Sequence, residues 1–312
     1  MVQIVPVMLF IAVINFLLIH SAPGDPASAL AGEGASQEFI DALRVEYGLD
    51  QPLINQLWTY LTTVATGDLG YSFGYRQKVV DIILEKMPAT LLLVLASQIP
   101  AIVFGTLLGA YSARHYPSRI DSAITGVSLS LYAVPIFWSG LLLILVFAVW
   151  LRWLPASGMF SLVTPTEGLG RWLDIARHMA LPATALFLYS LPQYVRLTRA
   201  SVIEIMREDF ITTARAIGYD ENVVFFRHAL RNALLPAVTV AGLSLSFVFA
   251  GALLTETVFG WPGMGRLMYE GVLKRDYPLL MGVFLVTSGL VLIVSIITDL
   301  IYAKLDPRVS YQ

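Results

Sequence analysis

Hydrophobic residues fall along this chain in long unbroken runs, not in the alternation of a half-buried strand. A helix needs about 20 mainly apolar residues to cross the hydrocarbon core, where each backbone N–H and C=O must be satisfied within the segment itself. Six stretches approach that length: Val2–Ile19, Ala89–Tyr111, Ala123–Leu151, Met179–Val195, Ala233–Thr255 and Pro278–Thr298. The pattern predicts an all-α integral membrane protein of about six transmembrane helices. The third run is longer than needed and contains Pro135, which predicts a tilt or a kink. The fourth is short and holds Pro182 and Pro192. The first run lacks a basic stretch before it, and Ser21-Ala22-Pro23-Gly24-Asp25-Pro26 after it is a poor cleavage site, so it is read as a retained anchor.

Polar segments divide the chain into a first helix at 1–24, an insertion at 25–88, a membrane core at 89–300 and a tail at 301–312. Within the insertion, Phe39–Tyr47 has a helical pattern stopped by Gly48, and Leu53–Val64 is a second amphipathic run. A small helical extracytoplasmic cap is the expectation. With the N-terminus inside, the inner loops carry Arg114, Arg119, six arginines between Arg196 and Arg231, Lys304 and Arg308. The outer loops hold as many basic residues, but four of them lie in the long insertion, where charge counts little toward orientation. The balance favours both termini inside.

The loop at 196–232 is the most informative polar stretch. Phe210, Ala214 and Ile217 recur at i, i+4 and i+7, which places one apolar face on a short helix. Gly218 suits a left-handed position after its last turn, and Asp220 can cap a following helix through its side-chain oxygen. Two uses of such a helix stay open on chemistry alone: docking a partner, or lying in the headgroup plane. Glu204, Glu208 and Asp209 favour the first, because an anionic leaflet repels them.

Composition agrees with a bilayer as solvent. The 312 residues are 57% hydrophobic and 13% charged, against roughly 25% charged in an ordinary soluble domain, and the mean hydropathy is +0.71. A net charge of −2 leaves no nucleic-acid footprint, and the absence of cysteine excludes disulfides and Cys-based zinc sites. A phosphate loop needs a Gly-Lys pair, yet Lys78, Lys86, Lys274 and Lys304 follow other residues. None of His20, His115, His178 or His228 precedes Glu, so no zinc-protease motif exists, and Gly126-Val127-Ser128 and Gly242-Leu243-Ser244 lack the closing glycine of a serine-hydrolase elbow. The central parts of the six runs contain no ionisable side chain, which weighs against proton coupling. Ser244, Ser246, Thr255, Thr257, Thr287 and Ser288 would line a path powered by a partner.

The loop then becomes specific. Thr212-Thr213-Ala214-Arg215-Ala216-Ile217-Gly218, followed by Arg227-His228-Ala229-Leu230-Arg231-Asn232-Ala233-Leu234-Leu235-Pro236, resembles the EAA loop of binding-protein-dependent ABC importer permeases, in the dipeptide, oligopeptide and nickel branch. The resemblance extends to Ala22–Pro26, Tyr47–Pro52, Gly67–Ser72, Glu256–Gly265 and Leu305–Arg308, and so covers nearly the whole chain. Thr212-Thr213 replaces the family's Glu-Ala, so no acidic contact is carried over at Thr212. The spacing from Gly218 to Leu235-Pro236 is also longer than the general pattern.

The resemblance implies a type I importer permease of a bacterial or archaeal plasma (inner) membrane, itself neither an enzyme nor a cofactor binder. Two permease subunits, the second a related chain, would form the path. Two cytoplasmic ATPases carrying ATP and Mg would dock on the loop through Phe210, Thr212, Thr213, Ala214, Ile217, Gly218 and Asp220, with Phe210, Ala214 and Ile217 as the docking face. An extracytoplasmic binding protein would deliver small peptides, with nickel or another small solute as the alternative and a secondary transporter or channel as the more distant one. Gly260-Trp261-Pro262-Gly263-Met264-Gly265 holds too many breakers to continue a helix and reads either as a simple turn or as a re-entrant element facing the binding protein.

Overall fold

The computed structural model describes residues 4–21, 24–31, 34–161, 167–234 and 252–305. Most of the fifth predicted run, with Ser244 and Ser246, falls outside the described residues, as do Ala22-Pro23, Leu235-Pro236 and residues 306–312 of the tail. The rest is helical: α1 (Ile4–Ser21), α2 (Pro26–Ala31), α3 (Gln37–Glu46), α4 (Leu53–Ala65), α5 (Val79–Arg114), α6 (Arg119–Ala133), α7 (Ile136–Leu143, continued by a π-helical turn Ile144–Trp150), α8 (Leu169–Ile205), α9 (Asp209–Ala216), α10 (Glu221–Val223, continued by a π-helical turn Val224–Leu230), α11 (residues 252–258), α12 (Met264–Lys274) and α13 (Tyr277–Leu305). No strand occurs among the described residues, only an isolated bridge between Tyr71 and Lys78.

Helices overrun the hydrophobic runs that announced them. α5 begins at Val79, inside the segment assigned to the insertion, and α8 continues ten residues past Val195 to Ile205, into the segment assigned to the loop. The reason is that a charge ends a membrane span without ending a helix: Asp81, Glu85, Arg196 and Arg199 sit comfortably in helical geometry once they reach water. The third run behaves in the opposite way. Proline disfavours helical geometry at the residue before it, and Val134 is extended, at φ −85° and ψ 124°. Pro135 then starts α7, and the two halves meet at 96°, far beyond a kink. By length and composition α5 and α13 can each cross a membrane, and the bent pair counts as a third candidate among the described residues.

The chain divides into two compact units, residues 1–90 with 262–293, and residues 91–261 with 294–312. In the first, the segment assigned to the insertion shares its cores with α1, α12 and α13. Phe16 and Ile19 of α1 bury against Tyr277, Leu280 and Met281 of α13, with Leu57 and Tyr60 of α4 packed on them. Val79, Ile82 and Ile83 of α5 close on Met264, Leu267, Leu279 and Val283. Asp276, fully buried, joins the two layers. Its carboxylate accepts from the Ser72 hydroxyl, from the Gly74 N–H at 2.8 Å and from the Leu279 N–H at 3.2 Å, the last as the cap of α13. Gly24 has φ +126°, and the Arg275 guanidinium occupies the space a Cβ would take, 1.5 Å from its ideal position.

In the second unit, α5 and α8 approach along a pair of glycines four residues apart. A Cβ on Gly105 would lie 2.5 Å from the Cβ of Tyr194, and one on Gly109 2.6 Å from the carbonyl of Val195. Small residues at this spacing let membrane helices come within backbone contact. A buried polar link adds to the seam, with Gln98 donating to the Ser190 hydroxyl at 2.8 Å. Gly126 on α6 has open space instead. Gly105→Leu should therefore lower the midpoint of thermal inactivation of the detergent-solubilised protein, by an overpacking cost of at least about 1–3 kcal/mol. Gly126→Leu should leave it unchanged, and equal midpoints for the two variants would contradict the seam.

Candidate functional site

All the site residues picked from the sequence fall between the end of α8 and the start of α10. After Ile205 the chain turns through Met206–Glu208, and Glu208 adopts an extended conformation from which α9 starts. Asp209 in the first turn suits the positive end of the helix dipole. The far end is a Schellman stop: the Gly218 N–H donates to the Arg215 carbonyl at 3.0 Å and the Tyr219 N–H to the Ala214 carbonyl at 3.3 Å. Gly218 takes φ +94°, as that geometry requires. Asp220 then caps α10, accepting from the Asn222 N–H at 2.8 Å. Helix, glycine turn and helix follow in the expected order.

The orientation of α9 corrects the proposed face. Ala214 is buried together with Ile211, and both pack on Val224 and Ala229 of α10, with Ile205 and Met206 beside them. Phe210 and Ile217 remain exposed, as do Thr212 and Thr213. Two apolar stripes coexist on this helix, and the one containing Ile211 wins the interior because it offers a large side chain next to a small one. Ala214 lets the two helices close together. On the outward face Thr213 stands between Phe210 and Ile217, in the place the sequence pattern gave to Ala214. Ile211 was missed because i, i+3 pairs are short signals in an eight-residue helix.

This small assembly is fixed to the long helices at their polar ends. Phe225 packs with Ala110 of α5 and Val202 of α8. The Arg114 guanidinium lies 5.4 Å and 5.5 Å from the ring centres of Phe225 and Phe226, and donates to the Asn222 side chain. Asp121, at the start of α6, accepts two bonds from Arg199 of α8, at 2.6 Å and 2.8 Å, and one from Ser112 of α5. Three helices thus share one buried carboxylate. Arg215 and Glu221 bridge the glycine turn at 2.8 Å, but both are largely exposed and such pairs contribute little. A cleft of about 660 Å³ opens beside α9, between Arg199, Ile203 and Arg207 on one side and Glu208 and Asp209 on the other.

The second sequence candidate, Gly260–Gly265, contains one buried aromatic residue and follows another. Phe259 and Trp261 are almost wholly enclosed, and the Phe259 ring lies 3.1 Å from where Gly140 would carry a Cβ. Thr255 is buried and Thr257 donates to the Leu253 carbonyl. Among the described residues no three His, Cys, Asp or Glu side chains gather as a metal site. What the α9 region offers is mechanical: an exposed face with Phe210 and Ile217 on a block fixed to two long helices, α5 and α8.

Residues 105–311 match the family model described as binding-protein-dependent transport system inner membrane component, and residues 1–94 match the corresponding N-terminal model. The di/tripeptide transport system permease protein DppB of Pseudomonas aeruginosa (strain UCBPP-PA14) is 39% identical over 325 residues, spanning 99% of this chain and 96% of that protein. The oligopeptide transport system permease protein AppB of Bacillus subtilis (strain 168) is 36% identical, spanning 98% and 96%. Among solved structures, the inward-facing methionine ABC transporter MetNI superimposes with a TM-score of 0.59 over 72% of this chain and 96% of that one, at 16% identity, which concerns the fold alone.

The inward and outward faces of α9 should separate cleanly on substitution. Ile211→Ala empties a fully buried position and should cost about 2–5 kcal/mol, read as a lower melting temperature of the purified protein. Ile217→Ala should stay within about 0.5 kcal/mol of the parent. The reverse ranking would restore the face containing Ala214 as the outward one.

Proposed function

The chain belongs to the family of binding-protein-dependent transport system inner membrane components, and from that premise we propose that it forms the path for small peptides in an ATP-driven importer. It is a multi-pass inner-membrane permease subunit, not an enzyme, and members of its family work with ATPases, a second permease and a binding protein. Peptide as substrate rests on the relatives named for di/tripeptide and oligopeptide transport. Both termini are placed in the cytoplasm, with residues 25–88 outside and 89–300 as the permease core, and the second permease is a related chain. ATP and Mg belong to the ATPase subunits.

The observation that carries the mechanism is the exposed face of α9. Phe210, Thr213 and Ile217, with Thr212 at their edge, form the ATPase-docking surface of the 196–232 loop, while Ile211 and Ala214 hold the helix to its own subunit. ATP binding closes the ATPase pair and displaces α9. Because α9 is packed on α10, and α10 on α5 and α8, the displacement reaches the helices that line the path. Gly218 and Asp220 fix the angle between α9 and α10, and so the direction of the push.

Uptake of a labelled dipeptide by cells should be lost when this gene is deleted and restored when it is returned; unchanged uptake, with nickel uptake lost instead, would reassign the substrate. A single cysteine at Gln56 in this cysteine-free chain should react with an impermeant thiol reagent in intact cells. Reaction only after permeabilisation would invert the topology.

The glycine turn gives a sharper test. A Cβ at Gly218 meets no neighbour within 4 Å, so the cost of a side chain there comes from its own backbone at φ +94°. That cost is about 1–2 kcal/mol for an ordinary residue and greater for a β-branched one. Gly218→Val should reach the membrane in normal amounts yet lose peptide uptake and peptide-stimulated ATP hydrolysis together, with Gly218→Ala intermediate. Full activity in the valine variant would show that force enters elsewhere.

A further inference from the structure

Helix α4 presents a large apolar surface that none of the described residues of its own unit covers. Its 13 residues, Leu53–Ala65, include no charged side chain. Leu57 and Tyr60 face α1, where they pack on Phe16 and Ile19. Ile54 and Trp58 point elsewhere and are 71% and 70% exposed, with Leu53 beside them at 58%. At 100° per residue, Ile54, Trp58, Leu61 and Ala65 form one stripe at i, i+4, i+7 and i+11. That stripe is turned about a quarter revolution from the Leu57–Tyr60 side, so it flanks the α1 contact.

The position of α4 along α1 identifies what the stripe meets. Phe16 and Ile19 lie in the last turns of α1, and His20 reaches the Gln56 side chain at 3.3 Å, so α4 is held at the end of the apolar helix α1, the first of the runs read from the sequence as a span. On that same turn of α1, Leu17 and Leu18 are exposed apolar residues. α4, packed on these last turns of α1, thus holds its own exposed stripe at the level of these apolar residues. We propose that α4 lies along the membrane–water boundary, with Ile54, Trp58 and Leu61 set into the edge of the acyl region.

The remaining side chains fit that environment. The Thr62 hydroxyl donates to the Trp58 carbonyl at 3.0 Å and the Thr63 hydroxyl to the Thr59 carbonyl at 2.7 Å, so these groups make little demand on water. A tryptophan is suited to the boundary because its ring is apolar while its N–H can reach the headgroups. With no lysine or arginine, attachment depends on apolar burial, not on anionic lipid. The placement holds whichever side of the membrane the insertion occupies, so it stands independently of the topology proposed above.

The test uses the complete transporter reconstituted in lipid bilayers. Single cysteines replace Ile54 on the stripe and Thr59 on the far side of the same helix, and each carries an environment-sensitive fluorophore. Quenching by a lipid-borne nitroxide placed near the headgroups should be about threefold stronger for Ile54→Cys than for Thr59→Cys, as expected for a helix with one face sunk in the boundary; quenching by aqueous iodide should rank the other way. Trp58→Cys supplies the same reading if Ile54→Cys does not assemble. Equal iodide access at both positions would overturn the proposal. So would protection of Ile54→Cys from both quenchers, because a protein partner would then cover the stripe. Bilayers of purely zwitterionic lipid should give the same ranking as mixtures with anionic lipid, and a ranking that needs anionic lipid would also count against it.

Discussion

An eight-residue helix does not hold together in water, because nucleation costs more than so few hydrogen bonds return. That constraint governs the α9–α10 block of this protein. α9 exists because Ile211 and Ala214 are buried on Val224 and Ala229, and α10 in turn is secured by Phe225 against Ala110 and Val202. The outward face of α9 is therefore free to meet a partner only because its inward face is already spent on its own chain. A helix that used both stripes for docking would have to fold on its partner, and would then pass on little of any displacement.

Direction is added by groups that tolerate few geometries. Asp121 receives two bonds from Arg199 and one from Ser112, which ties α5, α6 and α8 near the α9–α10 block. A buried pair of this kind is weak evidence for net stability, since desolvating the two charges offsets much of their attraction. Its effect lies in registry: sliding α6 or α8 strands a buried charge, and sliding α5 removes the Ser112 hydrogen bond. Farther along the same helices, Gly105 and Gly109 bring α5 into backbone contact with α8. The two devices hold the same helix pair at two levels, one through charge and one through shape.

In the first unit, Asp276 does for the insertion what Asp121 does for the long helices. Its carboxylate satisfies the turn at Ser72–Gly74 and caps α13 at once, so that turn is organised by a side chain some 200 positions away. Around it, Tyr75 donates to Glu270 and Lys274 lies 4.4 Å from the Tyr75 ring centre. Burial raises the Glu270 carboxyl, but the hydrogen bonds from Tyr75 and Arg266 outweigh it and hold the group below the ordinary carboxylate range. It stays an acceptor at neutral pH, which keeps the turn and α12 joined.

The parts of this structure legible in the sequence are those set by a single local rule. Apolar length marks the spans, the left-handed backbone selects Gly218, a short side-chain oxygen makes Asp220 a cap, and Pro135 interrupts a helix. The extent of α5 and α8 was not legible, because hydropathy measures the solvent around a helix and not its hydrogen bonding. The choice between the two stripes of α9 was not legible either: Phe210, Ala214 and Ile217 form as good a pattern as Ile211 with Ala214, and only α10 decides between them. Gly105, Gly109 and Asp276 share that difficulty, since each acquires its meaning from a residue far away in the chain. It follows that the packing of this block could not be drawn from its motif. The motif identifies α9 and its glycine turn, whereas the way they are tied to the long helices is set by small and buried polar residues whose partners appear only when the helices are packed.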